Sequence, residues 1–165
     1  MQLGGVAMRR QKGFSLIELL IVVAIILIIA AIAVPSYLRS RIAANEAAAV
    51  ASVRTLNTAQ VSYNSAYPTT GFAASMTALG GTNCSPPDST SACLIDTQLA
   101  GGLKNGYIFA LSNVTGTPNS TYTFIGTPVL PNGSGIRYFC SFQDAVVRFS
   151  MTNIASCDGT ITPLQ

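Results

Sequence analysis

The chain contains no histidine and no tryptophan, and only 9% of its 165 residues are charged. Without histidine, none of the many serines has an imidazole to activate it, and no mixed Cys/His zinc site can form. No enzyme and no cofactor are expected. A soluble domain carries about 25% charged residues. Such a shortage marks a membrane segment, a Ser/Thr/Asn-covered exported surface, or both. The formal charge of +3 does not imply a nucleic-acid partner. Arg9, Arg10 and Lys12 account for it, while the remaining six bases are matched by six acids spread along the chain. That leaves no basic face to hold a phosphate backbone.

Acidic clusters are also missing. Asp96, Asp144 and Asp158 stand singly near turns, whereas calcium needs several converging oxygens. The four cysteines, Cys84, Cys93, Cys140 and Cys157, form no C-x-x-C. A four-cysteine zinc site would lack the usual close pairs. An even count on an exported domain points to two disulfides, and four cysteines allow three pairings. The sequence-local pairing, Cys84–Cys93 with Cys140–Cys157, closes two short loops and is the one expected here. Asn113, Asn119 and Asn132 each open a glycosylation-type triplet. In a chain so rich in Ser, Thr and Asn they read as surface composition.

What the sequence does have is one long apolar run, FSLIELLIVVAIILIIAAIAV, from Phe14 to Val34, with Glu18 as its one charge. A helix of that length spans ~30 Å, the thickness of a bilayer core. Bases precede it and none lies within it. Residues 1–13 should therefore stay cytoplasmic and the C-terminal part should be extracytoplasmic, where disulfides form. The run is too long for an ordinary secretory signal, although Ala31-Ile32-Ala33 has the small-x-small form of a cleavage site. A plain single-pass anchor is the other bland reading. Neither explains Glu18, because a carboxylate within a membrane helix is costly and rare without a partner.

The stretch Arg9-Arg10-Gln11-Lys12-Gly13-Phe14-Ser15-Leu16-Ile17-Glu18 resembles the class III signal of the type IV prepilins. The resemblance covers the signal and the whole N-terminal helix. It implies cleavage by a membrane-embedded prepilin peptidase between Gly13 and Phe14, N-methylation of Phe14, and an acid at the fifth mature position, which is Glu18. The chemistry is coherent. Cleavage creates an ammonium that stays charged after methylation and needs a counter-ion in an apolar filament core. Glu18 lies four residues on, one turn away on the same helix face. The resemblance implies that it pairs with a neighbour's amine and so sets the register between subunits. An uncut leader carrying three charges would block that contact. Met8 is an alternative start, giving a leader of six residues.

Pro35 lacks the N–H that would bond to the carbonyl of Ala31, so a kink or loosening is expected there. The family commonly has a proline at this point and often a glycine earlier. This run has no glycine, a departure that bears on local unwinding before Pro35. The pattern then stays helical to about Tyr67, since Pro68 disfavours helical geometry at the residue before it. Ala49, Val53, Leu56, Gln60 and Tyr63 form one stripe that should pack under a head sheet. Arg39, Arg41 and Glu46 read as a solvated or headgroup-level rim, with subunit–subunit pairing as the alternative.

From Pro68 on, Gly, Pro, Ser, Thr and Asn dominate. Phe72–Leu79 is expected as a short helix ending at Gly80-Gly81, and Asp96 as the cap of another that stops at Gly101-Gly102. Tyr107–Ser112, Thr121–Thr127, Ile136–Phe142 and Val146–Met151 carry strand signals, with turn clusters between them. The fold class expected is α+β: a long N-terminal helix packed on a small antiparallel meander, an arrangement the resemblance also implies. The domain division expected is a leader at 1–13, the helix at 14–67 with its membrane or filament-core part at 14–34, and a head at 68–165.

The function expected is a structural subunit that polymerises into a type IV pilus. Its partners would be copies of itself and other pilins, the peptidase and methylase, an inner-membrane assembly platform and, before assembly, the lipid bilayer. A pseudopilin of a type II secretion system shares the same N-terminal logic. A non-polymerising anchored binding domain is the third possibility.

Overall fold

The computed structural model describes residues 13–81 and 84–164. The chain divides into two compact units, Met1–Tyr37 and Leu38–Gln165. Helix α1, Leu16–Ala66, is 51 residues long and supplies helical residues to both.

In the first unit the described residues are Gly13–Ser15 and the opening part of α1. Nothing between Phe14 and Val34 interrupts the i→i−4 ladder, since no glycine or proline occurs there. Pro35 lies inside the helix. The described apolar side chains of this unit are largely exposed: Leu16 is 80% exposed, Ile25 52% and Ile32 74%.

The second unit is an α+β head built on the rest of α1. Two single-turn helices follow, α2 (Met76–Leu79) and α3 (Thr97–Ala100). Ser75 caps α2 through its hydroxyl, and the Asp96 carboxylate accepts from Leu99 N–H to cap α3. Strands β1 (Leu103–Lys104), β2 (Tyr107–Gly116), β3 (Asn119–Pro128), β4 (Tyr138–Phe142) and β5 (Arg148–Ser150) form a sheet in the order β1-β2-β3-β4-β5. Every adjacent pair is antiparallel, so the sheet is a meander. It has one strand more than the sequence signals suggest, because β1 is only two residues long. The β2–β3 pair also runs further toward its turn than expected. α2 is shorter than the segment expected, Ser75 being its cap, and β4 begins at Tyr138, two residues late.

Alternation along β2 and β3 puts Tyr107, Phe109, Tyr122 and Phe124 on the face that meets the helix. There they pack with Ala49, Val53, Leu56 and Tyr63, which are at most 1% exposed. Gly126 sits in register with Phe109 and Phe139. A Cβ at that position would lie 3.1 Å from the Phe109 ring, so glycine is what lets the aromatic rings close over β3. The opposite face is not simply solvated. Cys140, Ile154 and Cys157 form a second, smaller core there, flanked by Ile125, Tyr138, Phe142 and Ile161. The C-terminal tail is held over this face by the Cys140–Cys157 bond and by backbone bonds from Phe149 to Thr162 and from Leu164 to Val147.

Candidate functional site

Gly13, Phe14 and Ser15 precede the first turn of α1. Ser15 joins the helix through its carbonyl, which accepts from Leu19 N–H at 3.2 Å. Glu18 lies in the first helical turn and is exposed, with no hydrogen-bond or ion-pair partner among the described residues. A carboxylate there sits at the positive end of the helix dipole. In a chain beginning at Phe14, the only other fixed charge on this stretch would be the α-ammonium four residues earlier. Arg9, Arg10 and Lys12 lie outside the described residues. The site thus has two parts: an apolar cylinder that is exposed among the described residues, and one acid beside its tip.

The head is anchored to α1 by polar contacts of unusual completeness. Glu46 is buried and accepts N–H groups from Ile136 (2.8 Å) and Arg137 (3.0 Å) on one oxygen. Its other oxygen takes Arg137 Nε at 2.7 Å. Burial by itself would raise the Glu46 pKa, but the two backbone donors and the guanidinium outweigh it and hold the carboxyl below its ordinary value. This corrects the expectation of a solvated rim or a subunit contact for Glu46, which pairs within its own head. Arg39 and Arg41 are exposed. The signal for Glu46 was in the sequence. It extends the stripe of Ala49, Val53, Leu56, Gln60 and Tyr63 by one step, and an acid on a buried stripe needs a partner.

Gln60 occupies a fully buried stripe position because its amide clamps one residue on both sides. It donates to the carbonyl of Ala73 and accepts Ala73 N–H. Asn57, which periodicity did not single out, donates to Ser141 Oγ and the Ala145 carbonyl and accepts the Tyr122 hydroxyl. Tyr63 donates to the Ser89 carbonyl at 2.6 Å, tying the loop after α2 to the helix. Burial raises Tyr107 strongly and pushes Tyr122 up to about 12, so both phenols stay neutral donors at any physiological pH.

The cysteines are bonded as Cys84–Cys93 and Cys140–Cys157, with Cα atoms 5.8 and 5.9 Å apart. The single acids have local work. Asp96 caps α3 and pairs with Lys104 at 2.7 Å, and Asp144 pairs with Arg148 at 2.6 Å. Of the three asparagines in glycosylation-type triplets, Asn113 and Asn132 sit at positive φ, and Asn119 turns inward to the Phe72 carbonyl. No group of three or more potential metal ligands occurs among the described residues.

An apolar helix with one acid at its tip, followed by a helix-backed antiparallel sheet, is the arrangement expected of a pilin-like chain. Residues 8–34 match the family model for the prokaryotic N-terminal methylation motif. Over 54 residues the chain is 46% identical to the "Type IV major pilin protein PilA" of Myxococcus xanthus, a match covering 33% of this chain and 24% of that protein. Over 39 residues it is 59% identical to the "Type IV wide pilus major component PilA4" of Thermus thermophilus, covering 24% of this chain and 30% of that one. The chain thus spans less than a third of the length of either curated relative. No solved structure matches it. Over these parts of its length the chain is similar to type IV pilins.

Proposed function

We propose that this chain is the precursor of a subunit that polymerises into a type IV pilus. The observation that carries the reading is the methylation motif at residues 8–34, which overlaps a helix whose apolar side chains are exposed among the described residues. Removing that surface from water is a large driving force, supplied by lipid before assembly and by other copies of the helix afterwards.

In this reading a prepilin peptidase removes 1–13, cutting between Gly13 and Phe14, and the new Phe14 amine is methylated. Glu18 then neutralises the amine of a neighbouring subunit and fixes the axial register. Pro35, the one proline in α1, marks where the helix can loosen as the filament packs. Residues 14–34 form the filament core, and 68–165, clipped by Cys84–Cys93 and Cys140–Cys157, form the outward-facing head. Before assembly the chain is a single-pass inner-membrane protein delivered to an assembly platform.

The test is electron microscopy of sheared surface material, with N-terminal mass analysis of the chain within it. Filaments made of a chain that starts at methyl-Phe14 are expected. A full-length chain with residues 1–13 still attached, in cells that make filaments, would overturn the reading.

A further inference from the structure

One side of the head has an apolar surface that its own fold does not use. Leu103, Val129 and Leu130 are 58%, 50% and 63% exposed. Together with Arg41 and the Gly133-Ser134 turn they line a shallow cleft of about 400 Å³. Their exposure is built in. The turn from Leu130 is closed by Gly133 and Ser134 N–H bonds to the Leu130 carbonyl, and Ser134 Oγ accepts Leu130 N–H. Val129 N–H is held by the Gly106 carbonyl. Asn45 Nδ2 donates to the Ser134 carbonyl, which fixes the turn to the helix. The cleft contains no carboxylate, and Arg41 is exposed without an ion-pair partner among the described residues.

We propose that this cleft docks the head onto the anionic lipid surface of the bilayer before assembly. The inference rests on the reading of residues 14–34 as the membrane segment. Its place in the chain selects the occupant. Arg41 follows Val34, the last residue of the apolar run, by seven positions. Even fully extended, that stretch reaches at most about 25 Å, so Arg41 stays within that reach of the end of the apolar run. Such a tether gives a weak contact a high effective concentration. Aliphatic side chains with an unpaired cation and no acid suit the boundary between headgroups and acyl chains. The contact would hold the head in one orientation on the membrane and would have to be released as the subunit leaves.

The experiment uses the full chain in nanodiscs of phosphatidylethanolamine with a minority of phosphatidylglycerol. Methyl signals are recorded with lipids spin-labelled near the headgroup. Leu103, Val129 and Leu130 should lose their signals, while Leu94 and Met151, exposed apolar residues elsewhere on the head, keep theirs. In Leu130→Asp the signals of Leu103 and Val129 should return, with Leu94 and Met151 unchanged as the check on folding. If the cleft methyls keep their signals while Ile25 and Ile26 lose theirs to lipids labelled deep in the acyl chain, the docking proposal is wrong and the membrane reading stands. If Ile25 and Ile26 keep theirs too, both fall. If the cleft signals vanish only with a spin-labelled second copy of the chain, the cleft is a contact between subunits and the lipid proposal is overturned.

Discussion

The stretches of α1 before and after Tyr37 follow opposite rules. Before it, apolar residues run all the way round the helix, and their side chains lie open. After it, burial is confined to one stripe that includes Glu46, Asn57 and Gln60, and Arg54, Thr55 and Val61 face out. A helix that is apolar all round is one that a protein core or a membrane surrounds. A helix with a single stripe carries its partner in the same chain. Charge follows the same division. Glu18 has no partner among the described residues, whereas Glu46 has three donors. One acid is therefore expected to serve assembly and the other folding.

Exchanging the roles would break this contrast. The largest effect expected is from Glu18→Leu, which should abolish filaments in the sheared fraction while the thermal unfolding of the head in detergent stays where it was. A shifted unfolding transition would mean that Glu18 belongs to the fold after all. Next is the pair Cys140→Ser and Cys157→Ser. It opens a loop with a sequence separation of 17 and frees the tail over the second core. A loss of about 3 kcal/mol is expected in denaturant titrations.

Glu46→Gln should cost about 2 kcal/mol, because Ile136 and Arg137 lose the charge they point at. The effect should depend on pH with a definite sign. The Glu46 carboxyl is depressed below its ordinary 4.5 in the folded head. Its contribution is therefore complete above that value and is lost as pH falls through the lower folded one. Asp96 and Asp144 are depressed as well, chiefly by the Lys104 hydrogen bond in the first and, against burial, by Arg148 in the second. The variant should thus flatten the acid limb of a stability-against-pH curve without erasing it. An unchanged limb would show that Glu46 does not titrate there. The smallest effect is from Tyr63→Phe, about 1 kcal/mol, for the hydroxyl that holds Ser89. Protease nicking between Cys84 and Cys93 should rise with it.

The elements carried by strong local signals were readable in advance. The apolar run, its boundary with the cations, the alanine-rich continuation and the stop before Pro68 are all properties of neighbouring residues. So are the Asp96 cap and the aromatic alternation of β2 and β3. β1 was missed because two residues carry no period; they pair only because Tyr107 and Ile108 lie alongside. Asn57 was missed because its partners are Ser141, Ala145 and Tyr122, far along the chain. Glu46 was misplaced because exposed charges usually contribute little, a rule that fails when a distant loop brings backbone donors to the carboxylate.

The sequence by itself determined the class of protein. An uninterrupted apolar run behind Arg9, Arg10 and Lys12, with Gly13, Phe14 and Glu18 at its start, is a one-dimensional pattern whose chemistry acts between nearest neighbours. The tertiary structure decided how the head is held to its helix and which of its surfaces remain open. Those depend on contacts spanning some ninety residues, such as Asn45 to Ser134 and Glu46 to Arg137. No local period encodes which turn comes to rest beside which helical residue. The same closure that hides Glu46 leaves Leu103, Val129 and Leu130 in the open beside Arg41.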